Sequence, residues 1–348
     1  MSKPLCLVTG ACGFMGTHMV EVLHEAGYRV RATDLASAYT RDQRSLGRFP
    51  SVLKRLGVEF VAADLTEPSS LDAVVKDVSY VFHVAAVFNY SAPWSLLEAV
   101  NIGGVRALLE RLRYVQSFKK IVYWAAGGVY DLASSPLPID EDSPVRPAND
   151  YLRSKLEGER TVREVCEEHK MAYSMVRGTT VYGPRGVYGG GQMLMAAATM
   201  PISATPSNWT FRIPFGHVRD VCGAALHVAE RPTTDGEDYI VNDDSQLSNV
   251  EFFRFVAQLT GHPFFALPPV PITPLKAVLK PAAKGLQWVA KNITHSQSPL
   301  EADTVDYLGL DVVYSNAKLK STGYELIYPD ARHGIAETLT WYGRHGWI

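Results

Sequence analysis

The sequence predicts an α/β protein, a doubly wound parallel sheet with a smaller substrate-binding region interleaved toward its C-terminal end. Three observations carry this. Short β-branched or apolar runs alternate with helical stretches through the first half; a glycine-spaced turn follows the first run; and beyond Tyr182 the alternation loosens into glycine- and proline-rich stretches, VYGPRGVYGGGQ and PISATPSNW. Core-like elements return near 218–242. The strands fall near 4–9, 28–33, 58–62, 79–84, 120–125 and 173–177, with helical periodicity from His18 to Ala26, Ser70 to Lys76 and Leu96 to Tyr114. The expected division is a sheet domain of 1–182 plus 218–243 and a substrate region of 183–217 plus 244–348.

The first strand ends at Thr9 in LCLVTGACGFMG, and Gly10, Gly13 and Gly16 follow before a helix expected from about Thr17. One glycine permits the tight turn, one lets backbone approach a pyrophosphate, and one lets the helix pack on its strand, while the helix amino terminus, with Phe14 and Met15, offers N–H groups and a positive dipole. This is the Rossmann-type dinucleotide turn. The second strand ends in Asp34, 18 residues past Gly16, where a carboxylate accepts hydrogen bonds from ribose hydroxyls and repels a 2′-phosphate. NAD is therefore the expected cofactor, although Arg31 and Arg41 are nearby cations that can serve NADP. Asp64 and Leu65 close the third strand; Asp64 can meet an adenine edge or equally cap the next helix.

Tyr151 and Lys155 in NDYLRSKLEGE stand four apart on a predicted helix and project from one face. A phenol titrates near pH 10, but a neighbouring ammonium and a positive nicotinamide ring favour its phenolate and bring it toward proton transfer. Tyrosine is then the acid/base and lysine its tuner. Such pairs also occur on solvated helix faces, and it is the surrounding motifs that select the catalytic reading.

Taken in order, TGACGFMG, Asp34, DL at 64–65, HVAA at 83–86, NIGG at 101–104, YLRSK at 151–155, VYGPR at 181–185 and HVRD at 217–220 make the chain resemble the extended short-chain dehydrogenase/reductase family, within the NAD-dependent epimerase/dehydratase superfamily, over nearly its whole length. The texture of VFHVAAVFNY and of the closing stretch resembles the 3β-hydroxysteroid dehydrogenase and dihydroflavonol reductase branch. The resemblance implies that Gly10, Gly13 and Gly16 hold pyrophosphate, that Ala85 and Ala86 line the nicotinamide ribose, that Tyr151 transfers the proton, and that Lys155 also bonds the ribose hydroxyls. Tyr182, Gly183 and Pro184 would begin the substrate region.

One position departs from that pattern. Members carry Ser or Thr four residues before the tyrosine closing the fifth-strand motif; WAAGGVY has Ala126 there, and neither Ala125 nor Gly127 supplies a hydroxyl. Thr180 in RGTTVYGPR stands where sugar-nucleotide members carry Asn, which counts against that substrate class. Residues expected to line the substrate are largely apolar or aromatic, Val87, Phe88, Tyr90, Trp94, Met193, Met195, Trp209 and Phe211, with Asn89 and Gln192 as polar members and Ala126 and Gly127 at the reacting edge. Each is also a candidate for plain core packing. The leading expectation is an NAD-dependent dehydrogenase or reductase acting on a secondary alcohol or ketone of a bulky apolar molecule. The alternatives are a sugar-nucleotide epimerase or dehydratase retaining its NAD, and a non-catalytic NAD-binding protein, which Ala126 leaves open.

Composition narrows the remaining classes. Hydrophobic residues at 47% and charged ones at 20% fit a globular enzyme, and a net charge of −2 with scattered Lys and Arg gives no field for nucleic acid. Cys6, Cys12, Cys166 and Cys222 lie far apart without zinc spacing, so reduced thiols and no metal are expected. Without a leader pattern or a long apolar run, residence in the cytoplasm is expected; a homodimer is expected besides. The stretch 272–293 places Lys276, Lys280, Lys284 and Lys291 on one helical face and Leu275, Val278, Ala282, Leu286, Val289 and Ile293 opposite, with Pro281 expected to kink it or start a second helix. It can pack on the small domain as a helix, or act as a lid or peripheral membrane contact.

Overall fold

The computed structural model describes residues 3–90, 92–289, 293 and 302–348, with backbone only at 302–304. Lys291 lies outside the described residues. Alternation of β and α runs from β1 (Leu5–Thr9) through α1 (Phe14–Glu25), β2 (Arg29–Asp34), α2 (Pro50–Leu56), β3 (Glu59–Ala62), α3 (Asp72–Val75), β4 (Tyr80–His83), α4 (Trp94–Leu97), α5 (Gly104–Leu112), β5 (Lys120–Ala126) and α6 (Asp150–Glu168) to β6 (Tyr173–Gly178). The later elements are β7 (Thr180–Tyr182), α7 (Gly189–Thr199), β8 (Ser203–Pro206), β9 (Phe215–His217), α8 (Val218–Ala229), β10 (Asp238–Val241), α9 (Asn249–Thr260), β11 (Phe264–Leu267), α10 (Ile272–Val289), α11 (Ala302–Tyr307), α12 (Ala317–Ser321) and α13 (Ala331–Arg344).

Seven strands form one sheet in the order β10-β6-β5-β4-β1-β2-β3, and every neighbouring pair is parallel. The central strands β1 (LCLVT), β4 (YVFH) and β5 (KIVYWAA) read as near-continuous apolar runs because both faces are covered, whereas β2 carries Arg29, Arg31 and Asp34 and edge strand β3 is part-exposed. Successive side chains point to opposite faces: Val8, Phe82, Val122 and Val176 join the cluster that includes α1 and α8, while Leu7, Val81, Ile121 and Met175 join the one that includes α5 and α6. Strand order reverses between β1 and β4, and the crevice outside their carboxyl ends is where this fold places ligands. Two small parallel pairs, β7 with β9 and β8 with β11, lie outside the large sheet.

Three local expectations are corrected. The helix after the glycine turn begins at Phe14, not near Thr17, with Gly13 as its N-cap. The glycine-rich GGGQ stretch is not loop but the start of α7. A Cβ on Gly190 would lie 2.7 Å from the Val181 carbonyl, and one on Gly191 2.6 Å from Gly186 backbone, so these glycines permit close approach rather than freedom. Finally, α10 runs through Pro281 without being divided. Pro281 and Ala277, whose carbonyl loses its donor, are both exposed, so the missing bond is left on the solvent side of the helix.

Candidate active site

The turn after β1 is dictated by sterics. Gly10 has φ +64°, and a Cβ there would lie 2.8 Å from Ala85 Cα; one on Gly16 would lie 2.1 Å from the Gly10 carbonyl oxygen. At Gly13 the added carbon would meet only the Gly10 carbonyl, at 3.2 Å, and the turn is otherwise open there. Open space over Gly13, beside the unbonded amides of the first helical turn at Phe14 and Met15, suits a pyrophosphate. The residues present therefore fit a dinucleotide.

Asp34 ends β2 at the edge of this crevice. Its carboxylate accepts from the Cys12 amide (3.0 Å) and the Leu35 amide (2.8 Å), and burial outweighs these bonds to hold its pKa above the usual carboxylate value. Arg31 is spent elsewhere: its guanidinium donates to the carbonyls of Ala73, Val74 and Lys76 and pairs with Glu59 at 3.0 Å. Arg48, to which sequence reasoning gave no role, is the cation whose field reaches Asp34. Asp64 accepts from the Thr66 amide (2.8 Å) and hydroxyl (2.7 Å), the pattern of a local cap, while Leu65 fills the space above Gly104.

Beyond β4 the chain is fastened by side chains that motif matching did not assign. The Ala85 amide donates to Thr9 Oγ1 (3.1 Å), which lies 3.0 Å from His83 Nδ1. Burial, then the nearby Lys155 charge, pushes His83 down to about 3, so its ring is neutral at physiological pH. Asn101 accepts from the Val87 amide (2.8 Å) and donates to Ser154 (2.9 Å), whose hydroxyl donates to the Tyr151 carbonyl (2.7 Å). Asn101 thus ties the segment after β4 that carries Ala85 and Ala86 to the helix carrying Tyr151. Its signal was the NIGG motif, whose asparagine has partners 14 and 53 residues away.

Asn149 caps α6 by accepting from the Leu152 amide at 2.9 Å, and the helix brings Tyr151 and Lys155 into the interior, 8% and 3% exposed. Burial pushes the Tyr151 phenol well up, with Tyr90 adding to the shift, and pushes the Lys155 ammonium down to about 8 against the pull of Glu159. The Lys155 ammonium sits over the Tyr123 ring, 4.4 Å from its centre. One turn on, buried Glu159 is held by Arg177 at 2.7 Å.

Around Tyr151 the aromatic candidates meet. Phe88 stands edge-on at 4.9 Å between ring centres and Tyr90 at 5.6 Å, with Phe88 also 5.5 Å from Tyr90 and from Tyr188. Val87, Tyr90, Ala126 and Tyr307 pack on the cluster of Ala92, Leu97, Tyr151 and Leu152. Tyr188 and Tyr307 were not anticipated; they come from segments whose spacing carries no signal. Gly127 is buried, and its carbonyl accepts from Tyr314 at 2.6 Å. Asn89 is exposed at the same loop. Other candidates are placed differently: Met193 and Met195 pack on the cluster of Tyr182, Leu194 and Phe252, Gln192 is exposed on α7, Trp94 stacks under Arg153, and Trp209 faces Phe211 after β8.

A doubly wound sheet with a glycine turn, an acidic β2 end and a buried Tyr/Lys pair defines a dinucleotide-dependent enzyme of the dehydrogenase/reductase type. The model of the NAD dependent epimerase/dehydratase family matches residues 6–242, and the chain belongs to that family, with NAD as its cofactor. It is 25% identical over 262 residues to dihydroflavonol 4-reductase of Hordeum vulgare, covering 71% of this chain and 73% of that one. It is 26% identical over 353 residues to UDP-glucuronate 4-epimerase 4 of Arabidopsis thaliana (97% and 74% covered), and 27% over 267 residues to sterol-4-alpha-carboxylate 3-dehydrogenase, decarboxylating, of Mus musculus (74% and 68%). Among solved structures, gox2253 superposes with a TM-score of 0.75 at 26% identity, over 99% of this chain and 100% of that one.

Proposed function

We propose that the chain interconverts a secondary alcohol and a ketone on a bulky apolar molecule, sterol-like or aromatic, with Tyr151 as acid/base. The observation that carries this reading is the apolar and aromatic enclosure of Tyr151 by Val87, Phe88, Tyr90, Ala126 and Tyr307. A nucleotide sugar needs cations for its diphosphate, but Arg185 is paired with Glu21, and Arg212 with Asp311 at 2.6 Å.

In this reading NAD, when bound, takes or returns the hydride. The amides of Phe14, Met15 and Gly16 would hold its pyrophosphate beside Gly10 and Gly13, Asp34 would take the adenosine ribose, Asp64 and Leu65 would flank the adenine, and Ala85 and Ala86 would line the nicotinamide ribose with Lys155. Lys155 favours the Tyr151 phenolate by its charge, so the proton leaves or returns at the Tyr151 hydroxyl oxygen. Tyr90, its ring centre 5.6 Å from that of Tyr151, would supply the second hydroxyl that Ala126 lacks. The resemblance to a UDP-glucuronate epimerase keeps one other reading in view, an epimerase that retains its NAD. A panel assay separates the two: NADH formation with sterols or aryl alcohols, lost in Tyr151→Phe while NAD binding persists, is expected. Turnover of nucleotide sugars without net NADH overturns the proposal, as does a Tyr151→Phe enzyme at the parent's rate.

A further inference from the structure

The amphipathic stretch at 272–289 is seated in a way its sequence does not foretell. A helix packed by its apolar face would bury the side opposite the lysines; α10 instead rests on α11 through Leu279 and Ala283 against Val305, and only Ala283 is fully buried. The apolar stripe looks outward: Val278 is 69% exposed, Leu286 43% and Val289 38%, with Trp288 at 61% beside them. Lys276, Lys280 and Lys284, one turn apart, run along its flank. Lys276 donates to the Asp306 carbonyl at 2.8 Å, and Lys280 pairs with the Asp306 carboxylate at 2.7 Å, so two contacts join α10 to α11 along this flank. The next residue, Tyr307, packs on the Tyr151 cluster. No helix among the described residues is long and apolar enough to cross a membrane.

We infer that the outer face of α10 docks on an anionic lipid bilayer, lying in the interface with Val278, Leu286, Trp288 and Val289 in the acyl boundary and Lys284, with Lys276 beside it, at the headgroups. The charge pattern selects this occupant. A second copy of this face would bring the ammonium groups of Lys276 and Lys284 near their counterparts, Lys280 being balanced by Asp306, whereas anionic headgroups complement them, and tryptophan at the helix end favours the boundary between water and hydrocarbon. Through Asp306 and Tyr307 the docked helix adjoins the catalytic cluster, so an apolar substrate leaving the bilayer would arrive beside it. That last step rests on the proposed substrate class; docking itself does not.

The test is flotation of the full-length protein, without substrate, with vesicles of phosphatidylcholine alone and with phosphatidylglycerol added. Binding to the anionic vesicles is expected, weaker on neutral ones and reduced by salt. Lys284→Gln should lower the partition coefficient about fivefold, as expected for removing one cation near the surface. The pair Val278→Asp and Val289→Asp should abolish binding while keeping the parent's melting temperature and NAD-induced shift, since both side chains are exposed. A parent left in the soluble fraction with anionic vesicles overturns the inference, as does the double-Asp variant floating like the parent. A dimer in light scattering that the double-Asp variant dissolves, with no flotation of the parent, assigns the face to a second copy and also overturns it. Each of these outcomes leaves the dehydrogenase assay untouched, so the two proposals fail separately.

Discussion

Ala126 closes β5 within the same cluster as Tyr151 and Tyr90, so a methyl group stands where the family resemblance leads one to expect a hydroxyl. Losing such a donor costs about 2.7 to 4 kcal/mol of transition-state stabilisation, a rate factor of roughly a hundred or more. If Tyr90 fills that role, Tyr90→Phe should lower kcat about a hundredfold with NAD binding intact. Ala126→Ser alone should change little, and the two together should recover much of the loss. Measuring kcat/KM for all three over one substrate panel decides it; a hundredfold gain from Ala126→Ser alone would mean a decayed enzyme. Lys155 carries a second prediction. Its ammonium titrates at about 8 in the folded, cofactor-free protein against 10.5 for the free side chain, because it is buried. Below pH 8 both states are protonated and the folded one bears the cost; between about 8 and 10.5 the unfolded state binds more protons, so stability rises with pH. Lys155→Met should therefore melt above the parent at pH 7, with the gap closing toward pH 10.5. A gap that widens with pH would contradict the buried, charged lysine.

At the scale of elements, legibility followed how local the constraint is. The turn after β1 was readable because positive φ at Gly10 and the 2.1 Å approach at Gly16 admit only glycine, whatever the rest of the chain does. The buried strands were readable because coverage on both faces forces continuous apolar runs. By contrast, α7 opens with three glycines of poor helix propensity and is held by tertiary packing of Leu194, Ala197 and Ala198. The aromatic wall was half legible: Phe88 and Tyr90 follow β4 directly, so the strand end places them, but Tyr188 and Tyr307 arrive from distant segments. The same holds for VYGPR. Tyr182 is fully buried and donates to the Ala331 carbonyl at 3.1 Å, while His18 Nε2 lies 2.8 Å from the Pro184 carbonyl, so the motif pins α13 and α1 together as it leaves the sheet.

For the molecule as a whole, a dinucleotide held as proposed would span the crevice where strand order reverses, meeting β1, β2, β4 and α6, so its binding energy would appear as global stability. At a concentration a hundred times its dissociation constant, a ligand confined to the native state adds about 2.7 kcal/mol. For a chain of this size that corresponds to on the order of 5 °C in Tm. NAD should produce such a shift and NADP a much smaller one. Asp34 stands at the ribose end with its carboxylate already fixed by two amides, and Arg31, the obvious partner for a 2′-phosphate, is tied to three carbonyls and to Glu59. Asp34→Ala should narrow the difference by removing the repulsion while leaving the glycine turn intact. Arg48 makes the test a sharp one, because it is the cation whose field reaches Asp34 and could neutralise an added phosphate. Equal shifts with NAD and NADP in the parent, reduced for NADP alone by Arg48→Ala, would show that Arg48 rather than Asp34 governs the choice. Scanning calorimetry of the parent and both variants across the same range of each cofactor reads the outcome directly.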